Sequence, residues 1–414
     1  MSSSDLSSTH VIASAERSTS IRALHVLILG GLSAIGPLST DMYLPALPAL
    51  SRELAATVSQ TQLTLSAGIL GLSLGQVLAG PSSDALGRRR LLLIGLAAFA
   101  LASLLCIIAP SIAILTVLRF VQGVAGAAGI AIGLAIVSDL YAGSVQARVF
   151  SLLMLVSGLA PIIAPVIGSQ LLAFTSWRGI FVILALIGIL LLLAVTFGMG
   201  ETLPAARRQR GGLAASLRAF RDLLLNRRFV GYAFASGFAF AAGIIYISVS
   251  PFILQNIYGV SPQRIGILFG INALGLVIMA QVGGKLVGRV SSQTLLAWGV
   301  AAIAIGALAL LVVVLSGAGL VGILPSLFVI IASLGLIAPN ATTLALSNAR
   351  AAGSAAALLG VVQFSIGAVA APLVGLAGTA TAVPMAAAIA AFGIAALVTF
   401  IVFCRPAPAL AQRM

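Results

Sequence analysis

Asp41 is the one acid in this chain whose position asks for a chemical reason. Of eight Asp and Glu residues it alone lies well inside a run apolar enough to cross a bilayer. Holding a carboxylate at that depth is costly, and the usual reason for one is an ion or proton path. No acidic residue follows Asp222, so carboxylate chemistry belongs to the first half of the chain. A second ionisable group, Arg119, falls within another apolar run, roughly 10 Å from its end at 1.5 Å per residue. Gln122 and Gly123 follow it at i+3 and i+4, a polar stripe on one helical face that suits a protein interior better than lipid. The two runs cross in opposite directions, and counting inward puts Asp41 and Arg119 at similar depth. They are therefore expected to face each other or share a water network, the guanidinium favouring the ionised acid. Other chemistry has little to use: the histidines are His10 and His25, and Cys106 and Cys404 stand apart in apolar surroundings. No hydrolytic cluster, disulfide, metal or cofactor is expected, and the chain does not read as an enzyme.

The elements that carry these residues follow from composition. With 61% hydrophobic residues, 7% charged residues and a mean hydropathy of +1.20, the chain is far from the roughly 25% charge of soluble domains. Runs of about 20 apolar residues, the length that crosses a bilayer as helix, occur at 24–46, 61–81, 91–110, 112–137, 149–173, 179–199, 229–253, 264–284, 294–315, 321–346, 355–378 and 383–403. These predict an all-α polytopic membrane protein with twelve transmembrane helices. The net charge of +14 invites a nucleic-acid reading, but the basic residues are sorted by side. With a cytoplasmic N-terminus, every Lys and Arg lies on the inner side except Arg52, Arg178, Arg264 and the embedded Arg119. That bias places both termini in the cytoplasm and needs no nucleic acid.

The longest hydrophilic stretch, 201–228, divides the chain into helical halves at 24–200 and 229–403, with tails at 1–23 and 404–414. The first residues are rich in Ser and Thr without an apolar signal core, and read as a mobile tail. Within the linker, Leu213, Leu217, Phe220 and Leu224 keep helical spacing between arginines, which predicts an amphipathic interfacial helix. Three echoes about half the chain apart suggest a parallel repeat: Gln76-Val77 with Gln281-Val282, Pro45 with Pro251, and Ala164-Pro165-Val166-Ile167-Gly168 with Ala371-Pro372-Leu373-Val374-Gly375. A repeat of this kind places a site near the midplane between two six-helix halves.

Three further segments carry spacing that composition does not require. Gly75, Gly80, Asp84, Gly87 and the arginines Arg88, Arg89 and Arg90 close the second run and open the third. Gly75 and Gly80 suit close helix approach, Gly87 suits a tight turn, and Asp84 is placed to pair with the arginines. The second-half counterpart keeps Gln281 and Gly284 but has Arg289 in place of the acid. Gly158, Pro161, Pro165 and Gly168 share the fifth run, where two prolines remove backbone donors from one face and the glycines allow packing against the other half. Asp139, at the inner end of the fourth run, is expected to pair with Arg148. Tyr43, Tyr246, Asn272, Asn340, Gln363 and Phe364 are polar or aromatic groups within spans, suited to ligand contact or to local packing alike.

These motifs resemble the major facilitator superfamily over essentially the whole chain. The segment from Gly75 to Arg90 is similar to its loop between helices two and three, a cytoplasmic latch between the halves in that family. Arg119-Phe-Val-Gln122-Gly123 resembles its proton-transfer motif on helix four, and the Gly158 to Gly168 segment its antiporter motif on helix five. Most specifically, Asp41-Met-Tyr-Leu-Pro45 and Trp177-Arg178-Gly179-Ile180-Phe181 look like Bcr/CflA drug-resistance transporters, where the acid serves proton and substrate binding. The chain departs from relatives in carrying Ser138 before Asp139 and no second acid deeper in the first helix. The resemblance implies a monomeric proton-driven exporter of small amphipathic compounds such as antibiotics in a bacterial inner membrane. An exporter of an endogenous metabolite such as an amino acid fits the same residues.

Overall fold

The computed structural model describes residues 23–204, 208, 220–347 and 352–404. Among them, twelve helices are long and apolar enough to cross a membrane: Ala23–Glu53, Val58–Leu86, Arg88–Ile107, Ile112–Leu140, Gly143–Leu171, Trp177–Gly198, Arg227–Asn256, Pro262–Leu286, Ser292–Ser316, Leu320–Ser347, Ala355–Leu376 and Val383–Cys404. They are called spans one to twelve below.

Among the described residues, six of the twelve spans start on a side-chain cap. Thr57 accepts from the Gln60 amide while the Gln60 side chain accepts from Thr57 N, a reciprocal cap that starts span two before the apolar run. Ser111, Ser176, Asn226, Ser261 and Ser291 accept first-turn amide protons in the same way. Gly87, at φ 98° and ψ 148°, supplies the sharp reversal from span two into span three. Span one is interrupted. Its helix stops at Asp41, Leu44–Ala46 form a 3₁₀ turn and Leu47–Glu53 resume α-helix, because Pro45 and Pro48 bring no N–H to the ladder.

Spans one to six and seven to twelve repeat one packing scheme. Span one packs on five, two on four and three on six; span seven packs on eleven, eight on ten and nine on twelve. The halves meet where span two lies along span eleven and span five along span eight. The tightest crossing within the first half, between spans two and four, is made by backbone contact. A Cβ on Gly71 would run into the Phe120 carbonyl, and one on Gly123 into the Gly68 carbonyl. Gly335 meets the Leu276 carbonyl of span eight in the corresponding place of the second half. Small residues are what allow such approach where apolar side chains gain nothing by leaving lipid.

Gly75 joins that crossing, against Val124 and Ala127, but Gly80 does not: nothing lies within 4 Å of where its Cβ would be. The expectation that both glycines serve close packing is corrected for Gly80, which five residues on is turned about 140° around the helix from Gly75. Of the linker positions with helical spacing, Phe220 and Leu224 are in helix; Leu213 and Leu217 lie outside the described residues, as do the two tails. Cys106 and Cys404 are buried and unpaired.

Candidate functional site

A cavity of about 430 Å³ lies between the halves, and Asp41 opens onto it from the end of the first helical segment of span one. Pro37, one turn earlier in that helix, faces the same space. The Asp41 carboxylate accepts a hydrogen bond from Thr40 Oγ1 at 3.0 Å, and that hydroxyl also lies 3.1 Å from the Gly36 carbonyl. Asp41 is half-buried and, among the described residues, is the only acid lining the cavity. Gln76, Ser157, Pro161 and Pro165 join it from the first half. The second half contributes Tyr246, Asn272, Phe240, Phe269 and Phe364, with aliphatic residues between.

Arg119 is fully buried, which rules out snorkelling to the membrane surface. It does not face Asp41. Nη1 donates to Ser39 Oγ at 3.1 Å and to Gln122 Oε1, and Nη2 donates to the Ser39 carbonyl at 2.9 Å. That carbonyl is available because the ladder of span one ends there, with Met42 N still reaching Leu38 O at 3.4 Å before the proline-directed turn. Gln122 passes the chain on to Ser103 Oγ at 2.6 Å, and Ser103 to the Phe99 carbonyl at 2.7 Å. The guanidinium also stacks over Tyr43 and Phe181, 4.9 and 5.7 Å from the ring centres. Among the described residues no carboxylate stands in ion-pair range of Arg119. The expected Asp41–Arg119 confrontation is therefore corrected. Ser39 turns toward Arg119 while Asp41, two residues on, turns to the cavity, because alternate positions on a helix point to opposite sides. Thr40 stands between them and lines both the main cavity and a space of about 10 Å³ beside Ser39, Gln122 and Gly123, enough for one water molecule.

The residues singled out as ligand contacts divide. Tyr246, Asn272 and Phe364 line the cavity. Tyr43 does not: it is buried beneath Arg119 with its hydroxyl bonded to Thr64. Asn340 donates to its own helix at Leu336 O, 2.8 Å away. Gln363 donates to Ser236 Oγ at 2.9 Å in a side chamber of about 190 Å³, which shares Phe240 with the main cavity. Phe240 and Phe269 line the cavity as well, and nothing in the sequence around them sets them apart from the other phenylalanines.

One end of the cavity is closed by contact between the halves. Ser59 Oγ donates to the Pro372 carbonyl at 2.9 Å, Gln62 Nε2 lies 3.5 Å from the Ser248 carbonyl, and Gln255 Nε2 donates to the Pro45 carbonyl at 3.0 Å. Gly375 packs on Ser59 and Gln62, and Gly266 and Gly270 of span eight on span five. The close approach of spans five and eight thus comes from glycines of span eight. Gly158 is merely in ordinary contact with Val277, and Gly168 packs on the Met42 carbonyl of its own half; the expectation that both press against the second half is corrected for Gly168.

The basic end is organised within the first half. Arg88 pairs with Asp84 at 2.6 Å and with Asp139 at 3.2 Å, and its amide donates to Glu201 Oε1 at 3.0 Å. Arg89 caps the last turn of span six through the Thr196 and Met199 carbonyls at 2.8 and 2.9 Å. Asp139 is thus the partner of Arg88, and the expected pairing with Arg148 is corrected: span five starts at Gly143, which carries Arg148 away along that helix. Glu201, which also holds the Thr202 and Leu203 amides at 3.0 Å, had no signal in the sequence beyond being the first acid after span six.

Comparison with known proteins accords with this architecture. The family profile described as Major Facilitator Superfamily matches residues 29–372. The chain is 40% identical over 363 residues to the MFS-type transporter YdgK of Bacillus subtilis (strain 168), covering 87% of this chain and 90% of that one. It is 31% identical to the bicyclomycin resistance protein homolog of Haemophilus influenzae, over 87% of this chain and 91% of the relative. The D-xylose–proton symporter superimposes with a TM-score of 0.74 at 13% identity, covering 94% of this chain and 98% of that structure.

Proposed function

The chain belongs to the major facilitator superfamily, a transporter and not an enzyme, and on that premise we propose that it exports small amphipathic compounds in exchange for protons. The observation that carries this reading is Asp41, among the described residues the lone carboxylate on a largely apolar cavity bounded by both halves and shut at one end. The printed names of two relatives, a bicyclomycin resistance protein homolog and a chloramphenicol resistance protein of Pseudomonas aeruginosa that is 30% identical over 70% of this chain, support antibiotics as the cargo.

The cycle follows from placing the basic end in the cytoplasm, as the positive-inside bias does. The closed end then faces outward and the cavity communicates with the cytoplasm. A substrate enters against the aromatic wall of the second half, and Asp41 gives up its proton inward. Breaking the Ser59, Gln62 and Gln255 bridges opens the other side, where Asp41 takes a proton from outside and the substrate leaves. Proton and substrate need not touch the same atoms; it suffices that each favours a different conformation.

Arg119 acts on Asp41 through the backbone in this scheme. Its hold on Ser39 fixes the end of the helix that presents Thr40 and Asp41 to the cavity. The loop of Asp84, Gly87, Arg88 and Arg89 serves as the cytoplasmic latch. Among the described residues, Arg88 of this loop bonds to Asp84, Asp139 and Glu201 of the first half and the start of the linker.

The test is Asp41→Asn, which keeps the shape and removes the titrating group. Purified protein in vesicles should fold, bind substrate and fail to release protons on substrate addition. Normal proton release from this variant would end the assignment and point to Asp84 or Asp139.

A further inference from the structure

Tyr246 is a hydroxyl held in place. Its ring stands edge-on to Phe269, centres 5.3 Å apart at 89°, and its oxygen accepts from Asn272 Nδ2 at 2.6 Å. Both supports come from span eight, one turn apart, while Tyr246 belongs to span seven. All three line the cavity, and Tyr246 and Asn272 are only 2% and 7% exposed. Two helices therefore cooperate to aim one polar group into a space whose second-half wall is otherwise phenylalanine and aliphatic.

The hydrogen-bond arithmetic says what that group offers. A phenol has one proton to donate and can accept as well, and a primary amide has two protons and a carbonyl. With Asn272 donating to the phenol, the Tyr246 O–H is left to donate into the cavity. With the amide turned end for end, Tyr246 donates to its carbonyl and the amide N–H groups are left instead. Either way the second half presents a fixed donor to the ligand, opposite an acid on the first half. Leaving a buried donor unmatched is costly, which makes such a pair a stronger discriminator than apolar shape.

Resting on the exporter reading above, we propose that Tyr246 and Asn272 form a specificity-determining pair that selects amphipathic compounds carrying a carbonyl acceptor, such as an amide, lactam or ketone. Tyr246 makes the contact and Asn272 positions it. Compounds of the same apolar shape without an acceptor bind to the same cavity more weakly.

The probes are benzanilide, a neutral aryl amide, trans-stilbene, which has its shape without the carbonyl, and labelled tetraphenylphosphonium, a lipophilic cation without an acceptor. Direct binding of the cation to the purified full-length chain in detergent reports the cavity, and its displacement by the other two reports the pair. Tyr246→Phe keeps the ring against Phe269 and should weaken displacement by benzanilide about 2- to 12-fold, the range of one hydrogen bond between neutral groups. Stilbene and the cation should change less than twofold. Asn272→Leu should weaken benzanilide in the same direction, and the double variant should lose no more than Tyr246→Phe alone. Unchanged benzanilide displacement in Tyr246→Phe, or equal weakening of all three probes, overturns the pair. Failure of the wild-type chain to bind the cation at all overturns the cavity reading itself, and the pair with it.

Discussion

A neutral and a singly charged cargo should respond differently to the membrane potential, and the contrast can be worked out from the cavity. Asp41 is its only acid among the described residues; Glu53, Asp84, Asp139, Glu201 and Asp222 all lie at the ends of spans or beyond them. One titrating site permits one proton inward per substrate outward. For a neutral substrate the cycle then carries one net charge, worth about 2.3 kcal/mol per 100 mV. At about 1.36 kcal/mol per decade, that is a gain of roughly 50-fold in the attainable gradient at 100 mV. A monovalent cation exchanged for one proton carries no net charge and gains nothing from the potential. The assay uses vesicles with a fixed pH gradient, with the potential set or collapsed by potassium and valinomycin. Collapse should lower steady accumulation of a neutral substrate toward that limit while leaving a monovalent cation unchanged. Equal dependence for both cargoes would refute the one-proton scheme and require a second coupling group, with Asp139 the first to examine.

Three other outcomes follow from the same geometry. Arg119→Lys cannot keep three hydrogen bonds from two nitrogens, and losing two charge-assisted bonds costs about 3–6 kcal/mol; the unfolding midpoint in detergent should fall, while the folded fraction still exchanges protons. Normal stability with lost exchange would instead give Arg119 a direct part in proton transfer. Gly123→Val would press a side chain into the Gly68 carbonyl and within about 3 Å of Leu72 N, backbone atoms that cannot yield, so thermal unfolding should move down by an amount in the overpacking range of about 1–3 kcal/mol or more; Gly80→Ala, with open space around it, should be neutral or mildly stabilising. Gln62→Leu removes the bridge to Ser248 and should shift the resting population toward the outward-open form, read as faster labelling by an impermeant reagent in the Ser59→Cys background than in Ser59→Cys alone; unchanged labelling would show that the Gln255 bridge and the glycine contacts suffice to hold that end shut.

The chain's own residues determined that it crosses a membrane twelve times, that its halves repeat and that Asp41 is the acid set deep in an apolar run. Those properties depend on apolar run length, charge sorting and the cost of an acid in hydrocarbon, none of which needs a neighbour. The run 24–46 reads as one helix, and the structure breaks it after Asp41, where Pro45 and Pro48 act on their own backbone. Which side chains meet was not legible in the sequence. Spans this apolar have no polar face to reveal how each helix is turned, and a rotation of 100° per residue decides whether Arg119 meets Asp41 or Ser39. Tertiary packing turned Ser39 to the arginine and Asp41 to the cavity, buried Tyr43 away from any ligand, and gave Asp139 to Arg88. It also assembled the closed end from Ser59, Gln62 and Gln255, ordinary polar residues at span ends whose partners lie in the other half of the chain. Their role exists only once the two halves are brought together, because a hydrogen bond to a distant backbone carbonyl leaves no trace in the sequence around either atom.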